Sequence, residues 1–311
     1  MSGSSTEPLG SMRLRLPATS ANLGPGFDAA AVALDFGLEI EAAPAAEFSI
    51  RATGRDLERC ARLEDNLVLE NYKGLLTSHS RPVVPLAIRM DNAIPLGMGC
   101  GSSAAGRLAA IALAVHFGRL GWSSERIVGE ACVLEGHPDN AAACWLGGFV
   151  TTASEGRAVH FARVVPPEDW RAIVVLPSEP LPTVKARAVL PATYSRADVV
   201  ENIQSVSLLG LAFAQARTDL LRIAMKDRIH QPYRAAICPL LTRLLPVAGQ
   251  HGILGVALSG AGPAVIAIVE SEESVAEASD AIRSAVDGMA EPELLVSRFV
   301  AEGAGRTFEA G

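Results

Sequence analysis

Small residues and two hydroxyl side chains crowd into one stretch of the chain, PLGMGCGSSAA at residues 95–105. Gly97, Gly99 and Gly101 alternate with other residues, Ser102 and Ser103 follow directly, and a long alanine-rich run comes next. Glycines let a backbone approach a ligand closely, and the first turn of a helix presents unpaired N–H groups at the positive end of its dipole. The stretch therefore predicts an anion site, and phosphate is the usual occupant of such sites.

Two other glycine motifs compete for this loop. A P-loop requires a lysine after its last glycine, where this chain has Ser102 and Ser103, so that mechanism is excluded. The dinucleotide pattern GxGxxA matches residues 99–104, but an acidic residue is expected about 20 positions further on, where the chain reads FGRLGWSS. An NAD(P)-dependent oxidoreductase is an alternative on this pattern, and so is a small-residue helix that simply packs closely against a neighbour.

Polar residues suited to a small substrate lie in other segments. SANLGPGFD contains Asn22 and Asp28, and EGHPDN at residues 135–140 predicts a turn, stiffened by proline, that groups an acid, an imidazole and an amide. Arg187 and Arg234 are suited to a substrate carboxylate, because a guanidinium binds it through two parallel hydrogen bonds and stays charged. Without further context, either arginine would be interpreted as part of a solvated helix face.

The chain resembles the GHMP kinases, the superfamily of galactokinase, homoserine kinase and mevalonate kinase. LPATSANLGPGFDAAAVAL at residues 16–34, the glycine loop, and LSGAGP at residues 258–263 are similar to its first, second and third motifs, in that order. Cys100 stands where the family usually has leucine. The resemblance covers nearly the whole chain. It implies an α+β fold of two domains, an N-terminal ribosomal-protein-S5-like α/β domain and a C-terminal ferredoxin-like α+β domain.

The resemblance also implies that ATP and Mg²⁺ are the cofactors. The loop backbone would wrap the phosphates, Ser103 and Glu135 would hold Mg²⁺, and Asn66 and Val68 of DNLVLENYK would line the adenine pocket. The residues implied in ATP binding are Pro95, Gly97, Gly99, Cys100, Gly101, Ser102, Ser103, Ala104, Asn66 and Val68. Glu135 lies in the last turn of a predicted helix, where a carboxylate typically costs ~0.3–1 kcal/mol unless a cation reverses the sign. Glu130, earlier on the same helix, is the alternative metal ligand.

Within the superfamily, the substrate segments resemble those of homoserine kinases. The resemblance rests on EGHPDN, on T-x-x-A-R-x-x-L-P around Arg187, and on D-x-x-H-x-P-x-R ending at Arg234. The residues implied in substrate binding are Asn22, Asp28, His137, Asp139, Asn140, Arg187, Arg234, Ser259 and Gly260, and those implied in catalysis are Asp28, Asn140 and Arg187. The implied reaction is ATP-dependent phosphorylation of the side-chain hydroxyl of L-homoserine to O-phospho-L-homoserine, a step of threonine biosynthesis.

Several alternatives stay open at this point. A mevalonate-like or shikimate-like acceptor is an alternative, and a non-catalytic nucleotide-binding protein would share the same loop. The proton acceptor is also open: Asn140 cannot act as a base, Asp28 or Asp139 can, and positioning alone would suffice if alignment is good, since general-base assistance is typically worth about 10²–10⁴-fold.

The elements that must position these groups follow from periodicity and caps. SSERIVGEACVLEG predicts a helix capped by Ser123 and ended by Gly136, and helices are also expected over residues 199–215, 220–226 and near 274–288. Strand patterns include LEIEAA, EFSIRA, LAIRM, VHFARVV, AIVVLPS and LLVSRFV. We place a leader at residues 1–11, an N-terminal domain at 12–165 and a C-terminal domain at 166–311, with VVPPEDW at the boundary.

Composition limits the partners. The chain has 311 residues, 49% of them hydrophobic, and a net charge of −7 without a basic run, which argues against nucleic acid or an anionic membrane as partner. No apolar run is long enough to span a bilayer. The five cysteines have no CxxC spacing, which favours free thiols in a reducing cytoplasm. We expect a cytoplasmic enzyme acting on L-homoserine and ATP, and a homodimer is compatible with these properties.

Overall fold

The computed structural model describes residues 10–156 and 158–308, and within them ten strands form two sheets that are covered by helices. The strands are β1 Met12–Asn22, β2 Gly26–Pro44, β3 Ser49–Gly54, β4 Leu86–Asn92, β5 Phe149–Glu155, β6 Ala158–Val164, β7 Arg171–Leu176, β8 Ile253–Leu258, β9 Val265–Val269 and β10 Glu293–Arg298. The helices are α1 Leu57–Cys60, α2 Leu67–Ser78, α3 Ser102–Phe117, α4 Ser124–Glu135, α5 Asp139–Leu146, α6 Thr183–Ala188, α7 Arg196–Ala214, α8 Thr218–Ala224, α9 Gln231–Arg234, α10 Pro239–Leu244 and α11 Val275–Ala285, with 3₁₀ turns at Leu245–Val247 and Ala304–Arg306.

The first sheet has the order β3-β4-β2-β5-β6, with β1 paired antiparallel to β2. In β1, Met12 and Leu14 are buried while Arg13 and Arg15 are exposed, the alternation expected of a strand with one face on the core. Helices α3 and α5 pack on β1 and β2. Helix α3 is rich in buried alanine, and these short side chains let it lie close to its neighbours. The sheet thereby fixes where α3 begins.

The second sheet has the order β10-β7-β9-β8, and every pair in it is antiparallel. The sequence of elements β7, helices, β8, β9, α11, β10 is the βαββαβ arrangement of a ferredoxin-like domain, so the predicted two-domain α+β fold is confirmed. The predicted helices near residues 199–215, 220–226 and 274–288 correspond to α7, α8 and α11.

The two halves are also joined to each other. Phe213 of α7 stacks on Phe149 of β5, with ring centroids 4.3 Å apart. After β10 the chain returns to the first sheet, where the backbone N–H of Gly148 donates to the carbonyl oxygen of Val300 at 2.7 Å. The sheets separate between β6 and β7, at the boundary segment, but the division at residues 165 and 166 stays a prediction because the halves share a core.

Two local expectations about the chain had different outcomes. Helix α4 begins after Ser123, whose hydroxyl accepts from the N–H of Arg126 at 3.4 Å, and ends at Gly136 with φ 81°, as predicted. The expectation that EGHPDN is one turn was wrong, because Asp139 and Asn140 already form the first turn of α5.

Residues 1–9 of the predicted leader lie outside the described residues, and β1 begins at Met12. No helix in the described ranges is long and apolar enough to cross a membrane.

Candidate active site

Three glycine-containing segments that are far apart in the sequence meet between the two sheets. The amide nitrogen Nδ2 of Asn22 donates to the carbonyl oxygen of Gly260 at 2.7 Å, and the N–H of Gly260 donates to the carbonyl oxygen of Ala21 at 3.0 Å. Ser259 Oγ donates to the carbonyl oxygen of Gly99 at 2.8 Å. The hydrogen bonds thus tie the segments resembling the first, second and third motifs into one unit.

The loop before α3 needs glycine for a steric reason. Gly99 has φ +86°, and a Cβ there would lie 2.2 Å from the carbonyl oxygen of Ser259. Gly101 has φ +74°, and a Cβ there would lie 2.0 Å from Thr19 Oγ1. Gly101 is also the N-cap of α3, and among the described residues no side chain caps that first turn. The start of α3 therefore presents backbone N–H groups without a side-chain acceptor, as an anion site requires.

A cavity at this junction brings together most of the predicted site residues. Those lining it are Asn22, Asp28, Gly97, Gly99, Gly101, Ser102, Ser103, Ala104, Glu135, His137, Asp139, Asn140, Arg187, Arg234 and Gly260. A second cavity shares Gly97, Ser102 and Ser103 with the first and extends to Asn66 and Val68. The remaining predicted residues, Pro95, Cys100 and Ser259, are buried behind the walls of the two cavities.

One corner of the first cavity holds the two predicted metal ligands. Ser103 Oγ donates to Glu135 Oε1 at 2.8 Å, and the Glu135 side chain is only 7% exposed. Arg107, one turn after Ser103 on α3, donates to Ser103 Oγ at 2.7 Å and forms an ion pair with Glu135. The carboxylate at the end of α4 is therefore neutralised by a guanidinium. Glu130 lies outside this cavity wall.

The opposite side of the cavity carries two arginines with different partners. Arg187 donates to both carboxylate oxygens of Asp28, at 3.0 and 2.6 Å, and this bond raises the pKa of Arg187. Each guanidinium, of Arg187 and of Arg234, lies 5.4 Å from the ring centroid of Phe27. The Phe27 ring thus lies within cation–π distance of both guanidinium groups.

Arg234 is buried, at 1% exposure, and its partners are neutral. Its Nε donates to the carbonyl oxygen of Ala186 at 3.0 Å and its Nη1 to His230 Nδ1 at 3.0 Å. Within the described part of the chain it forms no ion pair with a carboxylate. Burial, followed by the nearby charge of Arg187, lowers the pKa of Arg234. An anion entering the cavity would relieve this unbalanced charge.

His230 fixes the orientation of Arg234. The ring is fully buried, and its Nε2 lies 2.8 Å from the carbonyl oxygen of Gly24. A carbonyl only accepts, so Nε2 carries the proton and Nδ1 accepts from Arg234. Burial lowers the pKa of His230, which keeps the ring neutral for this role.

An acidic group faces the arginines. Asp139 is buried, and its Oδ1 accepts from His137 Nδ1 at 2.6 Å and from the N–H of Asn140 at 2.7 Å. Ligand atoms of Asp28, His137 and Asp139 all lie within 4.8 Å of one another. Burial alone would lower the pKa of His137. Its hydrogen bond to Asp139 and the charges of the surrounding carboxylates together have the larger effect, so the net pKa is raised. This corner is suited to a cationic group of a ligand.

Four side chains in or next to the cavity escaped the sequence analysis. Phe27 and Thr183 line the cavity and belong to the segments around Asp28 and Arg187. A lone apolar or hydroxyl residue, however, does not indicate a binding site in the sequence. His230 belongs to the pattern ending at Arg234. Arg107 had a readable signal, because a charged residue four positions after Ser103 lies on the same helix face.

Comparison with known proteins agrees with this geometry. Residues 66–148 match the family model described as the GHMP kinases N terminal domain, and residues 211–288 match GHMP kinases C terminal. The chain is 43% identical to a homoserine kinase of Solibacter usitatus, over 85% of this chain and 87% of that protein. It is 35% identical to one of Deinococcus radiodurans, over 87% of this chain and 88% of that protein.

A solved structure is also similar. The crystal structure of a homoserine kinase from Cytophaga hutchinsonii has a TM-score of 0.81 and 25% identity, covering 97% of this chain and 98% of that one. The two family models include the second and third glycine-containing segments. The chain therefore belongs to the homoserine kinases of the GHMP kinase family.

Proposed function

We propose that this protein transfers the γ-phosphoryl group of ATP to the side-chain hydroxyl of L-homoserine. The observation that carries the choice of acceptor is Arg234, a buried guanidinium that pairs with no carboxylate of residues 10–156 and 158–308. A substrate carboxylate would supply the missing anion and would accept a charge-assisted hydrogen bond from Arg234 Nη2, since Nε and Nη1 already donate to Ala186 and His230. Arg187, beside it above Phe27, would share this role.

The acidic corner supports an amino acid as acceptor. Asp28 and Asp139 line the same cavity as Arg234, and we propose that they receive the ammonium group of homoserine. Mevalonate has a carboxylate but no ammonium, and galactose has neither. A zwitterion with a side-chain hydroxyl is therefore the ligand that leaves the fewest charged groups unpaired.

The nucleotide is proposed to occupy both cavities. Its phosphates would lie on the N–H groups of the loop and the start of α3, and its base would enter the second cavity beside Val68. The Asn66 side chain has a structural task there, since its Oδ1 accepts from the N–H groups of Val68 and Leu69 at 3.1 and 3.2 Å. We infer that Asn66 shapes the base pocket by capping α2.

The residues of the metal corner fit Mg²⁺. This ion prefers oxygen ligands, is commonly held by one or two carboxylates together with substrate phosphates, and neutralises phosphate charge when bound. Ser103 Oγ and Glu135 supply a hydroxyl and a carboxylate at the start of α3, next to the proposed phosphate site. We propose that these two side chains hold the ion.

The chain's own contribution to transfer is alignment. Both oxygens of Asp28 already accept hydrogen bonds from Arg187, which favours Asp28 as an orienting group over a general base. Asn140 is oriented by Thr19, whose Oγ1 donates to Asn140 Oδ1 at 2.7 Å. Holding an alcohol in line with the γ-phosphate is worth about 7–11 kcal/mol in favourable cases, enough for a positioning mechanism.

The test is ADP release in the presence of Mg²⁺ and ATP, with L-homoserine, mevalonate, galactose and shikimate compared against a blank without acceptor. We expect ADP only with homoserine. Turnover with another acceptor, and none with homoserine, would refute the proposed substrate while leaving the kinase family intact.

A further inference from the structure

Arg107 lies in the metal corner and is not needed by the proposed reaction. It is the one arginine in α3, where nearly all neighbours are small or apolar, and its side chain is 23% exposed. Four positions separate it from Ser103, so both project from the same helix face. The same nitrogen, Nη1, donates to Ser103 Oγ at 2.7 Å and pairs with Glu135 Oε1.

The three groups form a closed triangle. Ser103 Oγ donates to Glu135 Oε1 at 2.8 Å, and Arg107 contacts both oxygen atoms. Glu135 is almost fully buried at the negative end of the α4 dipole, so an unpaired carboxylate there would be costly. Arg107 removes that cost in the protein without a metal.

A divalent cation held by Ser103 Oγ and Glu135 Oε1 would compete with Arg107, which contacts both of these oxygens. Magnesium binds its ligands at about 2.0–2.1 Å, a separation at which a guanidinium nitrogen cannot remain against the same oxygen lone pairs. The two positive charges would also repel each other across a buried site. Arg107 and the metal are therefore alternatives at Ser103 and Glu135.

We propose that Arg107 is a resident cation that competes with the metal for Ser103 and Glu135, and that it thereby sets how strongly ATP binding depends on Mg²⁺. The proposal rests on the metal site of the proposed function. Without Mg²⁺, Arg107 shields the incoming phosphates from Glu135. With Mg²⁺, part of the metal's binding free energy is used to displace Arg107. Both effects reduce the ratio of the affinity for Mg²⁺-ATP to the affinity for metal-free ATP.

The test is the affinity for ATP measured by titration calorimetry, once with a chelator and once with saturating Mg²⁺, with no acceptor present. In Arg107→Met, metal-free ATP should bind more weakly and Mg²⁺-ATP at least as tightly. We expect the ratio of the two affinities to rise by about tenfold or more, equivalent to about 1.4 kcal/mol. The matched control is Arg283→Met, which removes an exposed helical arginine paired with Asp280.

Two further variants keep the test decisive. Arg107→Lys retains the charge and should give a ratio between those of the wild type and Arg107→Met, and it carries the test if thermal unfolding shows that Arg107→Met is not folded. Adding Glu135→Gln to either variant should abolish the increase in the ratio. An unchanged ratio in both Arg107 variants, an equal loss of affinity with and without Mg²⁺, or an increase that survives Glu135→Gln would overturn the proposal.

The outcome is independent of the acceptor. ATP affinity is measured without homoserine, so a failure of the Arg107 proposal leaves homoserine-dependent ADP release by the wild type untouched. Conversely, absence of that ADP release would refute the proposed function whatever the affinity ratio shows.

Discussion

Replacement of Arg234 by methionine should separate substrate binding from stability. Arg234 is buried, pairs with no carboxylate in the part of the chain that the structure describes, and lies above Phe27, so a bound substrate carboxylate would complete a buried charge pair. Breaking such a pair typically costs roughly 3–5 kcal/mol, which corresponds to a factor of roughly 10²–10⁴ in kcat/KM for homoserine. The free protein, however, loses an unbalanced buried cation, and methionine fills much of the same volume. Because methionine also removes the hydrogen bonds to Ala186 and His230, we expect its Tm to stay near the wild-type value rather than above it.

The assay compares homoserine with aminopropanol, its analogue without the carboxylate. The wild type should discriminate strongly against the analogue, whereas Arg234→Met should treat the two alcohols almost alike and bind ATP as before. Arg228→Met is the matched control, because Arg228 is exposed and paired with Glu201 outside the cavity. If Arg234→Met retained the preference for homoserine, or lost ATP binding to the same extent, the carboxylate would bind elsewhere and our reasoning would be refuted.

Three other predictions concern the metal, the nucleotide and alkaline stability. Glu135→Gln should raise the Mg²⁺ concentration needed for half-maximal activity, while Glu130→Gln should leave it unchanged; the reverse result would move the metal ligand to Glu130. Cys60 lines the second cavity, so ATP should slow its alkylation, followed by mass spectrometry, and homoserine should not; equal rates with and without ATP would place the base elsewhere. Burial raises the pKa of Tyr72 to about 12, although its hydroxyl donates to the carbonyl oxygen of Val84 at 2.9 Å. The stability that the protonated Tyr72 hydroxyl contributes is therefore complete below ~10, the pKa of tyrosine in the unfolded chain. It is lost as the pH rises toward 12, at about 1.4 kcal/mol per unit of pKa difference between the folded and unfolded states. Tyr72→Phe should reduce the fall in the urea midpoint between about pH 9 and 12, and an unchanged fall would contradict this assignment.

Local signals in the sequence were sufficient for part of the fold. Helix α4 has a serine cap, a first-turn acid and a terminal glycine, each of which acts through backbone hydrogen bonds within a few residues. The glycine loop likewise combines steric need with a helix start, and Gly99 and Gly101 both have positive φ. Helix caps and glycine turns depend on residues that are close together in the sequence, so the sequence alone is enough to predict them.

Other features depend on contacts that sequence distance conceals. The first motif lies in a long hairpin of β1 and β2 with irregular pairing, where Asn22 and Asp28 have positive φ. Nothing local predicts that Asn22 bonds to Gly260, more than two hundred residues away. Asp139 was misplaced into a turn because proline usually limits a helix, whereas Pro138 here precedes its first residue.

The sequence indicated which residue types form the site, but it did not indicate which side chains pair with each other. Arg187 and Arg234 looked equivalent in the sequence, yet one is paired with Asp28 and the other has only neutral partners among the described residues. That difference arises from burial and from His230, and it decides which arginine is expected to dominate carboxylate binding. Arg107 was visible at a helical spacing from Ser103, but its partner Glu135 comes from another helix.

The central claim is that the cavity aligns homoserine with ATP for phosphoryl transfer, and the product tests it most directly. Phosphorus NMR of the protein with L-homoserine, ATP and Mg²⁺ should show one phosphomonoester on the side-chain oxygen of homoserine for each ADP formed. Formation of ADP with inorganic phosphate alone, or of a phosphate ester on a different acceptor, would contradict the account.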